Sequence, residues 1–509
     1  MKSILDRLVA CIGKQEPVVL SSSPEGLDML ILADLARALA QQGAERPVTL
    51  VMVARDGQRQ AMIENGLAFV APDLEVLSFP NWDCQPYDRV SPHAGLVARR
   101  MLVLSRLART RAGAERPRLL IVTANGLLQK VPRLQKVSAE SFSCAPGHMV
   151  DVQALALWLE HNGFSRGTTV RETGEFAVRG GIVDLFPPGL PQPVRLDFFG
   201  DTLESIRSFD PETQRSTGQM KALDLVPMSE VQLTTESIKR FRQNYIALFG
   251  AAGPDDVFYE AISEGRRHAG LEHWLPLFHE GLDDLFAYFG DAPLVMDPLA
   301  LESGLERLTS IKDHYEARRQ ALTTALKGSV PYKPMPPESM FLNEATWREA
   351  FQNGAVVRLE PFAQPESSQR RVLDAGGQLG RNFAPERKRA EAGETVNLFD
   401  VVAGYLKEQA ATKPVVLTSW TDGSRDRLTH VFKDHGLGAL KPVSRFSDVL
   451  ALKKNEIGCA VWGLDHGFET DTVLVVSEGD ILGDRLLRRA RRQRRAQDVI
   501  AEVGALAPG

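Results

Sequence analysis

The chain lacks the marks of several function classes. Its four cysteines, Cys11, Cys84, Cys144 and Cys459, stand far apart with no CxxC pair, which argues against a zinc site or a disulfide framework and fits a reducing cytosol. No apolar run approaches the roughly 20 residues that a membrane span requires, and the N-terminus lacks the charged-then-apolar layout of a signal peptide. A cytoplasmic location is expected. The net charge of -5 gives no global attraction for nucleic acid, so any DNA role must rest on a local patch. There is no GxSxG elbow and no cysteine beside a suitable base, which leaves a hydrolase triad without support. Neither a repeat at a fixed 20–50-residue period nor a long low-complexity tract occurs.

What is present is the texture of an ordinary multidomain protein. At 509 residues, 43% hydrophobic and 25% charged, the chain has material for roughly three or four domains. Short apolar runs at 17–20, 48–54, 74–79 and 118–124 alternate with helical stretches that end in glycine, predicting a parallel sheet covered by helices. From about Ser138 the pattern changes to one helix capped by Asp151, then strands joined by "PPGLPQ" and "GD" turns. The fold class expected is therefore α/β multidomain: a parallel-sheet module (1–130 and 219–328) split by an inserted α+β domain (131–218). A proline-rich linker (329–339), a small α/β domain (340–480) and a basic helix (481–509) follow.

Few residues survive a search for chemistry. The first strand–loop–helix reads Ser21-Ser22-Ser23-Pro24-Glu25-Gly26-Leu27-Asp28, where a phosphate loop would carry GxxxxGK[ST]. It has no lysine, and Glu25 and Asp28 are expected to face the place of the phosphate and repel it. Ser21, Gly26 and Asp28 thus mark a degenerate, non-binding loop. His268, His273 and His279 follow one another at intervals that do not stack two imidazoles on one helix face, so packing by Trp274, Leu275 and Phe278 is the reading favoured over a metal site. "FPNWDCQPYDRVSPH" (79–93) either stacks bases or packs as a rigid loop, the second being favoured. Seven arginines between Arg485 and Arg495 suit a solvated helix, with Arg488, Arg491 and Arg492 as possible phosphate contacts.

One stretch remains, "GEFAVRGGIVDLFPPG" (174–189), where a strand carries Arg179 and then two glycines. Gly180-Gly181 is predicted to form a bulge that re-aims a neighbouring side chain. Arg179 either projects outward for bidentate pairing with a partner carboxylate or pairs internally with Asp184 or Asp197.

"FPNWDCQPYDRVSPH", "ISEGRRHAGLEHWLPLFHE" and "RGGIVDLFPPG" with "PVRLDFFGDTLESIRSFDPETQRS" resemble the N-terminal region of the bacterial transcription-repair coupling factor family (Mfd), whose first domains are similar to those of UvrB. The resemblance implies a degenerate helicase-like module split by a UvrA-binding domain. It implies UvrA contacts at Arg166 and Arg179, with Arg171, Glu175 and Phe186 as further candidates; a second arginine of the UvrB pattern is here Ala177. In that family the whole protein displaces stalled RNA polymerase, moves on DNA and uses ATP and Mg in motor domains that this sequence does not contain. No cofactor and no catalysis are expected of this chain, and its UvrA surface is expected to be open. Two other readings stay in play: a UvrB-like ATP-dependent helicase with a drifted loop, and a DNA-binding fragment using the basic tail.

Overall fold

The structure is a computed structural model that describes residues 2–42, 49–109, 116–140, 142–253, 256–323, 332–352, 354–366, 371–395 and 397–483. Four strands open the chain: β1 (Val18–Ser21), β2 (Leu50–Ala54), β3 (Glu75–Phe79) and β4 (Arg118–Thr123). Apart from Ser78 and polar residues at their ends, they read as apolar runs because helices cover both faces of their sheet, so no position needs to alternate. Six strands of a second sheet come next: β5 (Ser165–Arg166), β6 (Glu175–Arg179), β7 (Ile182–Leu185), β8 (Val194–Phe199), β9 (Thr202–Phe209) and β10 (Ser216–Met220). The chain then returns to the first sheet with β11 (Leu294–Met296), β12 (Val356–Leu359) and β13 (Arg371–Asp374). That sheet has the order β13-β1-β12-β11-β2-β4-β3, and every pairing in it is parallel.

This return corrects the domain limits read from sequence. The boundary at 340 falls too early, because β12 and β13 flank β1 in the first sheet. The last sheet starts only with β14 (Gln378–Leu379), followed by β15 (Val415–Ser419), β16 (Lys441–Pro442), β17 (Ile457–Val461), β18 (Phe468–Glu469) and β19 (Leu474–Ser477), in the order β14-β18-β19-β15-β17-β16. Nor does the 329–339 stretch behave as a linker where it is described. Tyr332 and Met335 are buried in a core with Phe258 and Trp274, and Lys333 pairs with Asp256 at 2.9 Å. Prolines there stiffen a packed segment instead of separating domains. The insertion also shifts. Val131–Pro132 pairs with Leu282–Asp283, whereas Phe142–Cys144 pairs with Leu223–Leu225 and closes the base of the second sheet.

Two packing features position the candidate sites. The helix Val152–His161, capped by Asp151 through the amides of Gln153 and Ala154, lays Leu155 and Leu159 on one face of the second sheet, against Phe176, Val183, Leu185, Leu196 and Ile206. The last domain packs on the first module through Trp462, Leu464 and Phe468, which join Leu30, Ile31, Met62 and Phe69 in one core. Gly66 allows this approach, since a Cβ there would sit 2.2 Å from Met29 Sδ and 2.9 Å from Trp462 Nε1. Among the described residues no helix is long and apolar enough to cross a membrane.

Candidate docking surface on the inserted sheet

The second sheet buries one face and leaves the other polar. Because side chains alternate along a strand, the register fixes who shares the polar face. Arg195 stands opposite Asp184 on one side and Arg207 on the other, and Asp197 stands opposite Ser205. Arg179 lies opposite Ile182, one pleat along from the Ala177–Asp184 pair. The result is a lattice of guanidiniums and carboxylates across four strands. Arg195 binds Asp184 in fork geometry, with Nε 2.7 Å from Oδ1 and Nη2 2.9 Å from Oδ2, and Arg179 donates to the same Oδ2. Arg207 donates to Asp197 Oδ2 from Nε at 3.0 Å and Nη2 at 2.7 Å, and the Ser205 hydroxyl donates to it at 2.6 Å. Beside this lattice, Val170, Ala177 and Phe209 form a small apolar cluster on which Phe186 packs, with the Arg195 guanidinium 5.0 Å above the Phe209 ring.

The predicted bulge is not there. Gly180 and Gly181 form the two-residue turn of an antiparallel hairpin between β6 and β7, with Arg179 and Ile182 as its closing pair. Gly180 has φ 58, the left-handed value that a primed turn demands at its first central residue. A Cβ on Gly181 would lie 2.7 Å from the Phe198 carbonyl oxygen of the neighbouring strand. The glycines therefore end the strand and reverse the chain, which swings Asp184 back under Arg179.

The other sequence candidates scatter around this face. Arg166, exposed on β5, stands in register with the core-facing Phe176 and leans toward Glu160 of the covering helix at 3.5 Å, so it lies on the opposite face of the sheet from Arg179. The Glu175 carboxylate accepts the amides of Arg171 and Glu172 at 2.8 and 2.9 Å and thereby shapes the turn before β6. Ala177 is buried and adds no charge. Of the internal partners considered for Arg179, Asp184 is the one it meets, and Asp197 instead binds Arg207; Arg195, Ser205 and Arg207 are functional candidates that the sequence reading does not single out. Their signal is the polar residue at every second position of "VRLD" and "SIR".

The loop after β1 holds a different arrangement. The Asp28 side chain does not face an open phosphate position; it turns inward, and its carboxylate meets the buried Arg59 guanidinium and accepts the Gly26 amide at 2.9 Å. Arg59 also binds Asp297 at 2.9 Å, and Arg55 bridges Asp297 at 2.9 Å and Glu25 at 2.8 Å. Burial pushes the Asp28 carboxyl up to about 6 against the pull of Arg59, with Asp297 and Glu25 raising it further. The amides of Ser22 and Ser23 donate to the carbonyls of Phe362 and Glu360, and Phe468 and Leu464 crowd Gly26, where a Cβ would come within 2.7 Å of the Phe468 ring. An anion brought here would meet three carboxylates, amides already bonded and an apolar roof. The residues do not fit a nucleotide phosphate.

Comparison with known proteins decides the character of the polar sheet. The family model described as the UvrB interaction domain matches residues 142–231, the stretch that builds it. The inserted sheet has the pattern of that domain. Beyond it, the chain is similar to transcription-repair-coupling factors: 28% identical to that of Escherichia coli (strain K12) over 476 residues, covering 91% of this chain and 38% of the relative. It is 27% identical to that of Rickettsia prowazekii (strain Madrid E) over 462 residues, with 90% of this chain and 39% of the relative covered. It is 28% identical to that of Myxococcus xanthus over 502 residues, again with 90% and 39% covered. The chain spans well under half the length of the relatives it matches.

Outside the interaction domain the aromatic loop and two of the histidines are packing elements. In the 79–93 loop Phe79, Trp82 and Tyr87 are buried, so their rings are not free to stack on bases. Burial pulls His273 down to about 4 and His279 to about 3; His273 meets the Val90 carbonyl at 3.2 Å and His279 that of Glu230 at 2.9 Å. Both are neutral packing residues at neutral pH. Arg488, Arg491 and Arg492 lie outside the described residues.

Proposed function

We propose that this chain is the repair-recruiting region of a transcription-repair-coupling factor, and that its interaction domain docks UvrA through Arg179 and Phe186 on the uncovered face, with Arg166 at the adjoining edge. The observation that carries this reading is the match to the UvrB interaction domain, which falls on a sheet whose one face is packed and whose other presents guanidiniums to solvent. Arg171 and Glu175 hold the approach to β6. The first module acts as a body that carries the interaction domain without hydrolysing nucleotide, a reading supported by the missing lysine and by Glu25, Asp28 and Asp297 lining the loop in pairs with Arg55 and Arg59. Displacement of stalled RNA polymerase, movement on DNA, and the ATP and Mg that drive them belong, in this proposal, to the longer protein of which the region forms part. A cytoplasmic location goes with that role.

Calorimetric titration of the chain into purified UvrA tests the proposal, alongside an Arg166→Ala, Arg179→Ala double variant whose circular dichroism matches the parent. Binding that weakens at least tenfold in the variant supports recruitment, because interfacial arginines commonly contribute about 2 kcal/mol or more. No binding by the unaltered chain overturns it. A parallel titration with duplex DNA, with and without residues 484–509, tests the basic tail by its salt dependence.

A further inference from the structure

The two exposed arginines of the polar face share a feature that an ordinary internal ion pair lacks. Arg179 is 51% exposed and Arg207 44%, while their acceptors Asp184 and Asp197 are 0% and 19% exposed. Each covered carboxylate also has a second donor that stays put. Arg195 holds both oxygens of Asp184 while its guanidinium rests on Phe209, and Ser205 holds Asp197. Removing one partner from a buried pair is costly because it strands a charge or an unbonded acceptor. If its outer arginine left, Asp184 would keep the Arg195 guanidinium on both oxygens, and Asp197, partly open to solvent, would keep the Ser205 hydroxyl.

We infer that Arg179 and Arg207 are transferable cations: on docking, each leaves its covered aspartate for a carboxylate of the partner, so that the recruiting surface extends across the sheet from β6 to β9. This rests on the proposed UvrA role and adds Arg207 as a specificity residue, with Arg195 and Ser205 as positioning residues. The partner surface that fits is acidic, with carboxylates spaced to meet guanidiniums three strand spacings apart, roughly 14 Å across the sheet at about 4.8 Å per strand. Three guanidiniums over two carboxylates leave the face one positive charge in excess, which favours such a partner in the encounter as well.

The internal acids compete with the partner for the arginines, and this sets the signs that a purely structural pair would not show. In calorimetry with purified UvrA, Arg207→Ala is expected to weaken binding about tenfold and to lower its salt dependence, and Arg207→Lys to recover part of the loss. Asp197→Asn removes the competing negative charge while keeping an oxygen for Ser205, and is expected to leave affinity unchanged or raise it a few-fold. Affinity that is unaltered in Arg207→Ala, or that falls in Asp197→Asn as far as in Arg207→Ala, overturns the inference and leaves recruitment through Arg179 standing. If the unaltered chain does not bind UvrA, the recruitment reading itself fails and this inference with it.

Discussion

Replacing Arg59 by methionine would test whether the loop after β1 is held by charge. The cluster sets Glu25, Asp28 and Asp297 against Arg55 and Arg59, so it already has one acid in excess. Taking Arg59 out leaves three carboxylates facing a single guanidinium in a buried place. Breaking a buried pair this way costs about 3–5 kcal/mol at pH 8. The sign of the pH dependence follows from Asp28. Its folded carboxyl stands at about 6 against an ordinary 3.8, so its contribution to stability is fully present below pH 3.8 and lost as pH rises through 6, a change of about 3 kcal/mol in the parent. Without Arg59 the carboxyl rises further, and the gap between variant and parent widens from acid to alkaline pH. Urea unfolding followed by circular dichroism at pH 5, 6.5 and 8 measures that gap. Asp28→Asn serves as the control, since a neutral amide should flatten the pH profile and be tolerated better than Arg59→Met at pH 8. A gap that does not change with pH, or an Asp28→Asn variant as damaged as Arg59→Met at pH 8, would refute the reasoning.

Other outcomes are expected elsewhere in the chain. His279, held near 3 by burial, contributes stability that falls as pH drops below its unfolded value of 6.5, and His279→Gln, which can still donate to the Glu230 carbonyl, should reduce that loss between pH 7 and 5 in thermal melts. Parallel melting profiles for parent and variant would contradict it. Gly304→Ala places a Cβ 2.2 Å from the Trp347 ring and should cost about 1–3 kcal/mol of stability, with a change in tryptophan fluorescence. An unshifted spectrum and midpoint would mean that the ring moves freely. Gly181→Val drives a branched side chain into the Phe198 carbonyl and should weaken both the hairpin and UvrA binding, although residue 181 carries no charge of its own; unchanged affinity would show that the hairpin does not present Arg179.

The readable parts of this fold were those with one strong local signal. β1 to β4 show in the sequence because a strand covered on both faces needs no polar position, and the Asp151 helix shows because its cap and apolar spacing are local. β12 and β13 are just as apolar at their centres, yet nothing nearby says that "VVRL" and "RVLD" pair with β1 more than three hundred residues back. Such pairing is a property of the assembled sheet. The same division runs through the Gly180-Gly181 pair, whose turn chemistry is compatible with a bulge or a hairpin until the register of β6 and β7 chooses.

The amino-acid sequence by itself determined that the first loop has no phosphate-binding lysine, that a small α+β domain interrupts a parallel sheet, and that Arg179 lies on a strand just before two glycines. These depend on residue type and short spacing alone. Only the tertiary structure decided that Asp28 turns inward to Arg59, that Phe468 of the last domain roofs Gly26, and that Arg166 and Arg179 lie on opposite faces. Each of those depends on where a distant strand or helix brings its side chain, and burial, charge pairing and register act only once those partners have met.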